Sequence, residues 1–262
     1  MTTEAAFFVP DGEAFVATQH AIGPWSPAHL HAGPPTALIG RCIEHSLGGA
    51  PYEVARVTAE LLRPIPLGRL RVAVGAPTGG KRVRRIEASL YAGDDEVERV
   101  VALLFRRDEV ALPPLPPLRS SVIAAPDDLP EAPFPFFLSG VGYHTAMEVR
   151  FARGGYYAGD VAAWLRARVP LVAGEETSPL GCVLTAADSG NGVSNVLPDT
   201  DYLFINADLT VSLHRPLAGE WICLEAYTAA EPHGYGLAQS RLHDTRGPIG
   251  HALQSLLVTA RG

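Results

Sequence analysis

The apolar positions divide this chain into two stretches with one plan: a helical period, then a series of alternating segments. In the first stretch Leu38/Cys42 and Ile39/Ile43 are i,i+4 pairs, giving a predicted helix over 36–47 a broad apolar face that Gly48-Gly49 can end. In the second, Ser178-Pro179 reads as an N-cap followed by Pro at the first helical position. The apolar run Leu180 to Ala187 follows, and Ser189-Gly190-Asn191-Gly192 ends it. Strands are predicted after each helix, at 54–63, 69–77, 82–92 and 97–107, then at 201–214, 220–230, 235–244 and 249–260. Two shorter candidates, 143–152 and 161–169, open the second stretch. Alternation is cleanest where Leu209, Val211 and Leu213 interleave with Thr210, Ser212 and His214. Asp94-Asp95 and Thr245-Arg246-Gly247 fall between consecutive strands as hairpin turns. A helix lying on a long antiparallel sheet, repeated, predicts an α+β fold.

The two stretches also align residue by residue. Val57-Thr58-Ala59-Glu60-Leu61-Leu62-Arg63-Pro64 matches Leu209-Thr210-Val211-Ser212-Leu213-His214-Arg215-Pro216 at a spacing of 152, from 63 to 215. The same spacing carries Leu70 onto Ile222, Leu90 onto Leu242 and Val97 onto Ile249, which points to duplication. Between them, Pro113, Pro114, Pro116, Pro117, Pro126, Pro130, Pro133 and Pro135 exclude a continuous helix or an interior strand. The expected organisation is an N-terminal unit over 1–110, a Pro-rich linker over 111–140 and a C-terminal unit over 141–262.

Composition narrows the chemistry. With 262 residues, 47% hydrophobic and 19% charged, the chain can bury a full core. A formal net charge of −7 argues against a nucleic-acid partner, which needs a basic surface. Three cysteines without a CxxC spacing make a disulfide framework or a zinc site improbable, and reduced buried thiols are expected. No apolar run has the length of a membrane span, and the N-terminus lacks a signal-peptide pattern, so a cytoplasmic location is expected. There is no GxSxG elbow and no GxGxxG, so neither a serine hydrolase of that type nor a dinucleotide enzyme is indicated.

Several motifs resemble one known family. They are Leu184-Thr185-Ala186-Ala187-Asp188-Ser189, Phe204-Ile205-Asn206-Ala207-Asp208-Leu209, Leu213-His214-Arg215-Pro216, Gly219-Glu220-Trp221 and Gly250-His251-Ala252-Leu253-Gln254. Together these are similar to the second half of the bacterial acyl-CoA thioesterase II family and its thioesterase-like relatives. His31-Ala32-Gly33-Pro34-Pro35 and Leu62-Arg63-Pro64 occupy the places of the family's Gly-rich helix start and Arg-Pro strand end. The resemblance implies a double hotdog fold and hydrolysis of acyl-CoA without a cofactor or metal. It also implies further assembly into a homo-oligomer. In that family an Asp, a hydroxyl residue and a Gln hold the hydrolytic water. Those places fall on Asp188, Asn206 and Gln254, with Asn206 a departure from the family pattern. The matching first-half positions are unsuitable, since Ala102 stands opposite Gln254.

The residues bear on this chemistry in their own right. A thioester carbonyl is already electrophilic, so a positioned water, a base and an oxyanion site suffice. Asp188 falls in the last turn of its predicted helix, where the negative end of the dipole disfavours a carboxylate. A breach of a local rule of this kind marks functional positions, although an Asx turn before Gly190 explains it as well. Candidate substrate contacts are Gly33 and His31 at the first helix start, where free backbone N–H groups are expected to serve as oxyanion donors, and Arg63 and Arg215. The two arginines read either as phosphate clamps or as structural strand ends. Two other functions remain open: a non-catalytic acyl or acyl-CoA binder, suggested by Asn206, and an acyl-thioester hydratase. The hydratase needs a His–carboxylate pair, and no carboxylate follows His31 closely in sequence.

Overall fold

The computed structural model describes residues 5–118 and 121–261. The chain opens with β1 (Phe8–Asp11) and β2 (Ala14–Ala17), then α1 (Gly33–Ser46). Strands β3 (Tyr52–Leu61), β4 (Arg69–Val74), β5 (Thr78–Gly79), β6 (Val83–Ala92) and β7 (Asp95–Arg106) complete the first half. The second half holds α2 (Tyr143–Ala146), β8 (Met147–Arg153), β9 (Asp160–Ala167), α3 (Pro179–Ala187) and α4 (Gly190–Ser194). It continues with β10 (Tyr202–Asn206), β11 (Asp208–Leu213), β12 (Ile222–Glu231), β13 (Tyr235–Asp244) and β14 (Gly247–Ala260). This is the expected α+β plan of a helix laid on a long antiparallel sheet, twice over.

All main strands join one antiparallel sheet in the order β1-β2-β4-β6-β7-β3-β11-β14-β13-β12-β9-β8. The order is symmetric about the β3–β11 seam. There Thr58 lies opposite Thr210, its own counterpart in the repeat, with the two hydroxyl oxygens 3.4 Å apart. A pseudo-two-fold axis therefore passes through this pair. The short β1–β2 hairpin, too brief to stand out as an alternating run, mirrors β8 and β9 at the far edge.

The apolar faces of α1 and α3 meet inside the curved sheet, and glycines set how closely. A Cβ on Gly33 would lie 2.3 Å from the Thr185 carbonyl oxygen, and one on Gly40 would lie 2.7 Å from Leu184 Cδ1. Gly33 and Gly40 are two helical turns apart, so both fall on one face of α1. Because the start of α1 touches the end of α3, the helices run antiparallel. At the opposite end Ser178 Oγ donates to Glu44 at 2.6 Å, and Arg41 pairs with Glu175.

The single strand predicted over 201–214 is broken. β10 pairs with β14 with Asn206 opposite Leu256, whereas β11 pairs with Thr210 opposite Leu253. Between these pairs β10–β11 spends one residue more than β14, which is a bulge at Ala207. The bulge reverses the alternation. On β11 the odd positions Leu209 and Val211 are buried, but on β10 the even position Phe204 is buried. Without it Asn206 would share the outward phase of Thr210 and Ser212. The first half carries the same irregularity between Val54 and Arg56, at the matching point of β3. Bulges of this kind re-aim a side chain.

The Pro-rich stretch is irregular, and its second part is not a free spacer. Trp164 Nε1 donates to Ala124 O at 2.8 Å, Ala132 N donates to Val149 O, and Phe134 is buried. The sequence offered one hint of this in the run Phe134-Pro135-Phe136-Phe137.

A carboxyl is buried beneath α1. Glu98 is fully buried, with Oε2 unpartnered and Oε1 2.5 Å from Thr36 Oγ1, which also lies 2.9 Å from the Ala32 carbonyl. A hydroxyl has one proton and cannot satisfy both acceptors, whereas a protonated Glu98 donating to Thr36 leaves that hydroxyl free to donate to Ala32. Burial pushes the Glu98 carboxyl up from 4.5 to about 8, against the lowering effect of the Thr36 contact. Across that interval the folded chain holds a proton that the unfolded chain has released, so stability falls as pH rises. Wild type is expected to lose melting temperature as pH is raised from about 4.5 to about 8, and Glu98→Gln is expected to lose less. Parallel slopes in thermal unfolding would contradict this.

Candidate active site

The meeting of the two helix ends makes the site. Asp188 caps the C-terminal end of α3 and is nearly buried, where that helix's dipole alone disfavours a carboxylate. The structure supplies the compensation: the N-terminus of α1 faces it, and Gly33 N donates to Asp188 Oδ2 at 3.0 Å. The same oxygen lies 3.0 Å from His31 Nδ1. On the other side Asn206 Nδ2 donates to Oδ1 at 2.5 Å and Gln254 Nε2 donates to Oδ1 at 3.2 Å. Gln254 Nε2 also donates to the Asp188 carbonyl at 2.9 Å, and Gln254 Oε1 accepts from Asn191 N at 3.1 Å.

Each partner arrives by a different route. Gln254 is on the inward phase of β14 with Ala252 and Leu256, which settles a choice of face that the sequence left open. Asn206 is turned in by the bulge. His31 precedes α1, and its ring is stacked on Tyr143 at 3.8 Å with 4° between planes. The Tyr143 hydroxyl lies 2.8 Å from both Thr185 O and Ser189 Oγ. Burial pushes that phenol well above its ordinary range. Tyr143 carries no motif, and only the fold reveals its role.

Above these groups lies a cleft of ≈ 630 Å³ lined by His31, Asp188, Asn206 and Gln254 among others. Its walls are largely apolar, with Trp25, Leu62, Leu203 and Ile205 on the folded halves and Phe134, Phe136 and Phe137 from the Pro-rich stretch. Such a pocket suits an apolar ligand group.

The candidate substrate contacts separate. His31 lines the cleft and touches Asp188. Arg63 lines the rim, largely exposed, with Asp95 at 3.2 Å. Arg215 does not reach the cleft. Its guanidinium grips the fully buried Asp244 at 2.5 and 2.7 Å and bonds Gly247 O at 2.9 Å. That pairing holds the carboxyl of Asp244 below its ordinary range, against the opposing effect of burial. Arg215 is thus a strut for the β13–β14 turn, and the phosphate-clamp reading fails for it because its charge is already engaged. Gly33 is at the site, but not as an oxyanion donor. Residues Pro34 and Pro35 have no N–H, and the Gly33 N–H is taken by Asp188, so the first turn of α1 has no donor to spare.

Cys42, Cys182 and Cys223 are free thiols; Cys223 is buried, the other two only partly. Burial raises all three, Cys182 to about 11, and none lines the cleft. Among the described residues no group of three or more His, Cys, Asp or Glu is placed to hold a metal ion. No helix among them is long and apolar enough to cross a membrane.

Comparison with known proteins agrees with the architecture. A thioesterase II from Thermobifida fusca, provisionally assigned, superposes with a TM-score of 0.73 at 14% identity, over 96% of this chain and 95% of that one. A provisionally assigned thioesterase from Novosphingobium aromaticivorans gives 0.73 at 21% identity, over 96% and 98%. The acyl-CoA thioesterase II TesB2 of Mycobacterium marinum gives 0.67 at 14% identity, over 96% and 95%. At these identities the likeness speaks for the fold, a double hotdog. No curated protein sequence matches the chain. Family models do: the acyl-CoA thioesterase N-terminal domain over residues 21–106 and the C-terminal domain over 126–258. With both domains present in order, the chain belongs to the acyl-CoA thioesterase family.

Proposed function

We propose that the protein hydrolyses an acyl-CoA thioester to the free acid and CoA by attack of a water bound beside Asp188. The observation that carries this reading is the Asp188 carboxylate on the floor of an apolar cleft, with the amides of Asn206 and Gln254 on one oxygen. The acyl chain lies along the Phe134, Phe136 and Phe137 wall, and the thioester carbonyl reaches the polar floor. Asn206 falls where the pattern of the resembled family has a hydroxyl residue. Its amide has a second N–H and a carbonyl oxygen left after the bond to Asp188, so it can both donate to the developing oxyanion and accept from the water. That favours activity over a purely binding role.

The second reading, a hydratase of enoyl thioesters, gains from the contact between His31 and Asp188. The carboxylate absent near His31 in sequence is supplied across the helix pair. Incubation with a 2-enoyl-CoA separates the two: hydration consumes the double bond without releasing thiol, whereas hydrolysis releases thiol.

Free-thiol release from a panel of saturated acyl-CoA thioesters is expected to show turnover in wild type. It should fall by roughly 100-fold or more in Asp188→Ala, the range that loss of acid–base assistance produces. Wild type inert on every chain length would sink the hydrolase reading. Arg63→Ala should raise KM for CoA thioesters about threefold with kcat kept, as fits one exposed charge contact. By contrast Arg215→Ala should leave KM unchanged and cost on the order of 3 kcal/mol of stability, because Asp244 stays buried without its charge partner. Denaturant titration checks the latter; an unchanged midpoint would contradict the strut.

A further inference from the structure

We propose that the Nε2–H of His31 is the donor that receives the thioester carbonyl oxygen and stabilises its charge in the transition state. This deepens the thioesterase reading and rests on it. The need for such a donor comes from the start of α1. Pro34 and Pro35 have no N–H, Thr36 N donates to Ala32 O, and Gly33 N is taken. The backbone there has nothing left for a substrate oxygen.

Gly33 N does more than hold Asp188. It lies 3.0 Å from Asp188 Oδ2 and 3.2 Å from His31 Nδ1, and both accept from it. Nδ1 approaches Oδ2 to 3.0 Å without the geometry of a hydrogen bond, as two acceptors of one N–H do. A ring nitrogen that accepts carries no proton, so in the neutral imidazole the proton is on Nε2. Among the described residues no group bonds Nε2, and it is not one of the buried unpartnered atoms, so it opens to the cleft that His31 lines. The parallel stack on Tyr143, whose hydroxyl is anchored to Thr185 and Ser189, fixes the direction of that N–H. Gly33 N at one ring nitrogen thereby sets a donor at the other. A neutral imidazole held by a helix N-terminus can polarise a carbonyl in this way. A donor already oriented costs no reorganisation when charge develops.

Asp188 is left with the complementary task. Oδ1 accepts from Asn206 Nδ2 and Gln254 Nε2, whereas Oδ2 accepts from Gly33 N alone and keeps a lone pair for water. The step balances without a co-reactant. Asp188 Oδ2 takes a proton from water as the water oxygen bonds to the thioester carbonyl carbon. The carbonyl oxygen gains the charge and accepts from His31 Nε2–H, which keeps its proton throughout. The tetrahedral intermediate collapses, the carbon–sulfur bond breaks, and the proton on Asp188 passes to the departing thiolate.

The test compares wild type, His31→Gln and His31→Ala, each checked for an unchanged thermal transition. In thiol release from the best acyl-CoA of the panel, His31→Ala is expected to lose about 100-fold or more in kcat with KM nearly unchanged, as loss of one oxyanion donor does. His31→Gln has an amide N–H but no basic nitrogen, and should run well above His31→Ala. A second readout needs no turnover. The carbonyl stretch of a bound ketone analogue of acyl-CoA, with a methylene in place of the thioester sulfur, should lie at lower frequency on wild type than on His31→Ala. Equal frequencies on the two proteins would overturn the proposal. So would a His31→Ala enzyme within a few-fold of wild type, or a His31→Gln enzyme no better than His31→Ala. Wild type without thiol release is a separate result: it removes the hydrolase reading, and the analogue's frequency still reports whether His31 donates.

Discussion

The close crossing of α1 and α3 is the constraint on which the rest depends. Gly33 lets the helices approach to a distance that a side chain would forbid, because its Cβ would run into the Thr185 backbone carbonyl, and at Gly40 a Cβ would require the end of Leu184 to move. Only at that separation does the start of α1 face the end of α3, and only then can Gly33 N and His31 reach Asp188. A carboxylate that one helix dipole disfavours is thereby stabilised by the start of another. The Tyr143 plate beneath His31 and the buried Glu98–Thr36 contact brace the same junction from two sides.

The two halves share one frame and differ at the positions that face the cleft. The bulge recurs at the same place in both halves, so this backbone device belongs to the repeated unit. In the second half it presents Asn206; in the first the matching residue is Val54. Ala102 stands where Gln254 does, and α1 runs unbroken where α3 stops at Asp188. The first half is not idle, however. It contributes His31 and Gly33 to the site of the second, so the cleft belongs to the seam between the halves.

The Pro-rich stretch gains a role in this arrangement. Pro removes backbone donors and holds the segment extended, which allows Phe134, Phe136 and Phe137 to lie against the cleft as a wall. These rings contact one another and Tyr143 and Tyr156, so the connection between the halves also shapes the cleft.

The sequence by itself determined the two helix-and-sheet units, most strand positions and the repeat, because these rest on local periodicity and on a sustained spacing. It also marked Asp188, Asn206 and Gln254 through motif resemblance, which needs no distances. What it could not carry were the relations set by long-range packing. The reversal of phase at Ala207 depends on register against β14, and the β1–β2 hairpin on an edge too short to alternate visibly. Arg63 and Arg215 are equivalent in sequence, yet one meets Asp95 at an exposed rim and the other the buried Asp244. The contact between His31 and Asp188 joins residues in opposite halves of the chain, and no local pattern encodes such a pair. Only the tertiary structure decided it, because it arises where two helix ends are pressed together.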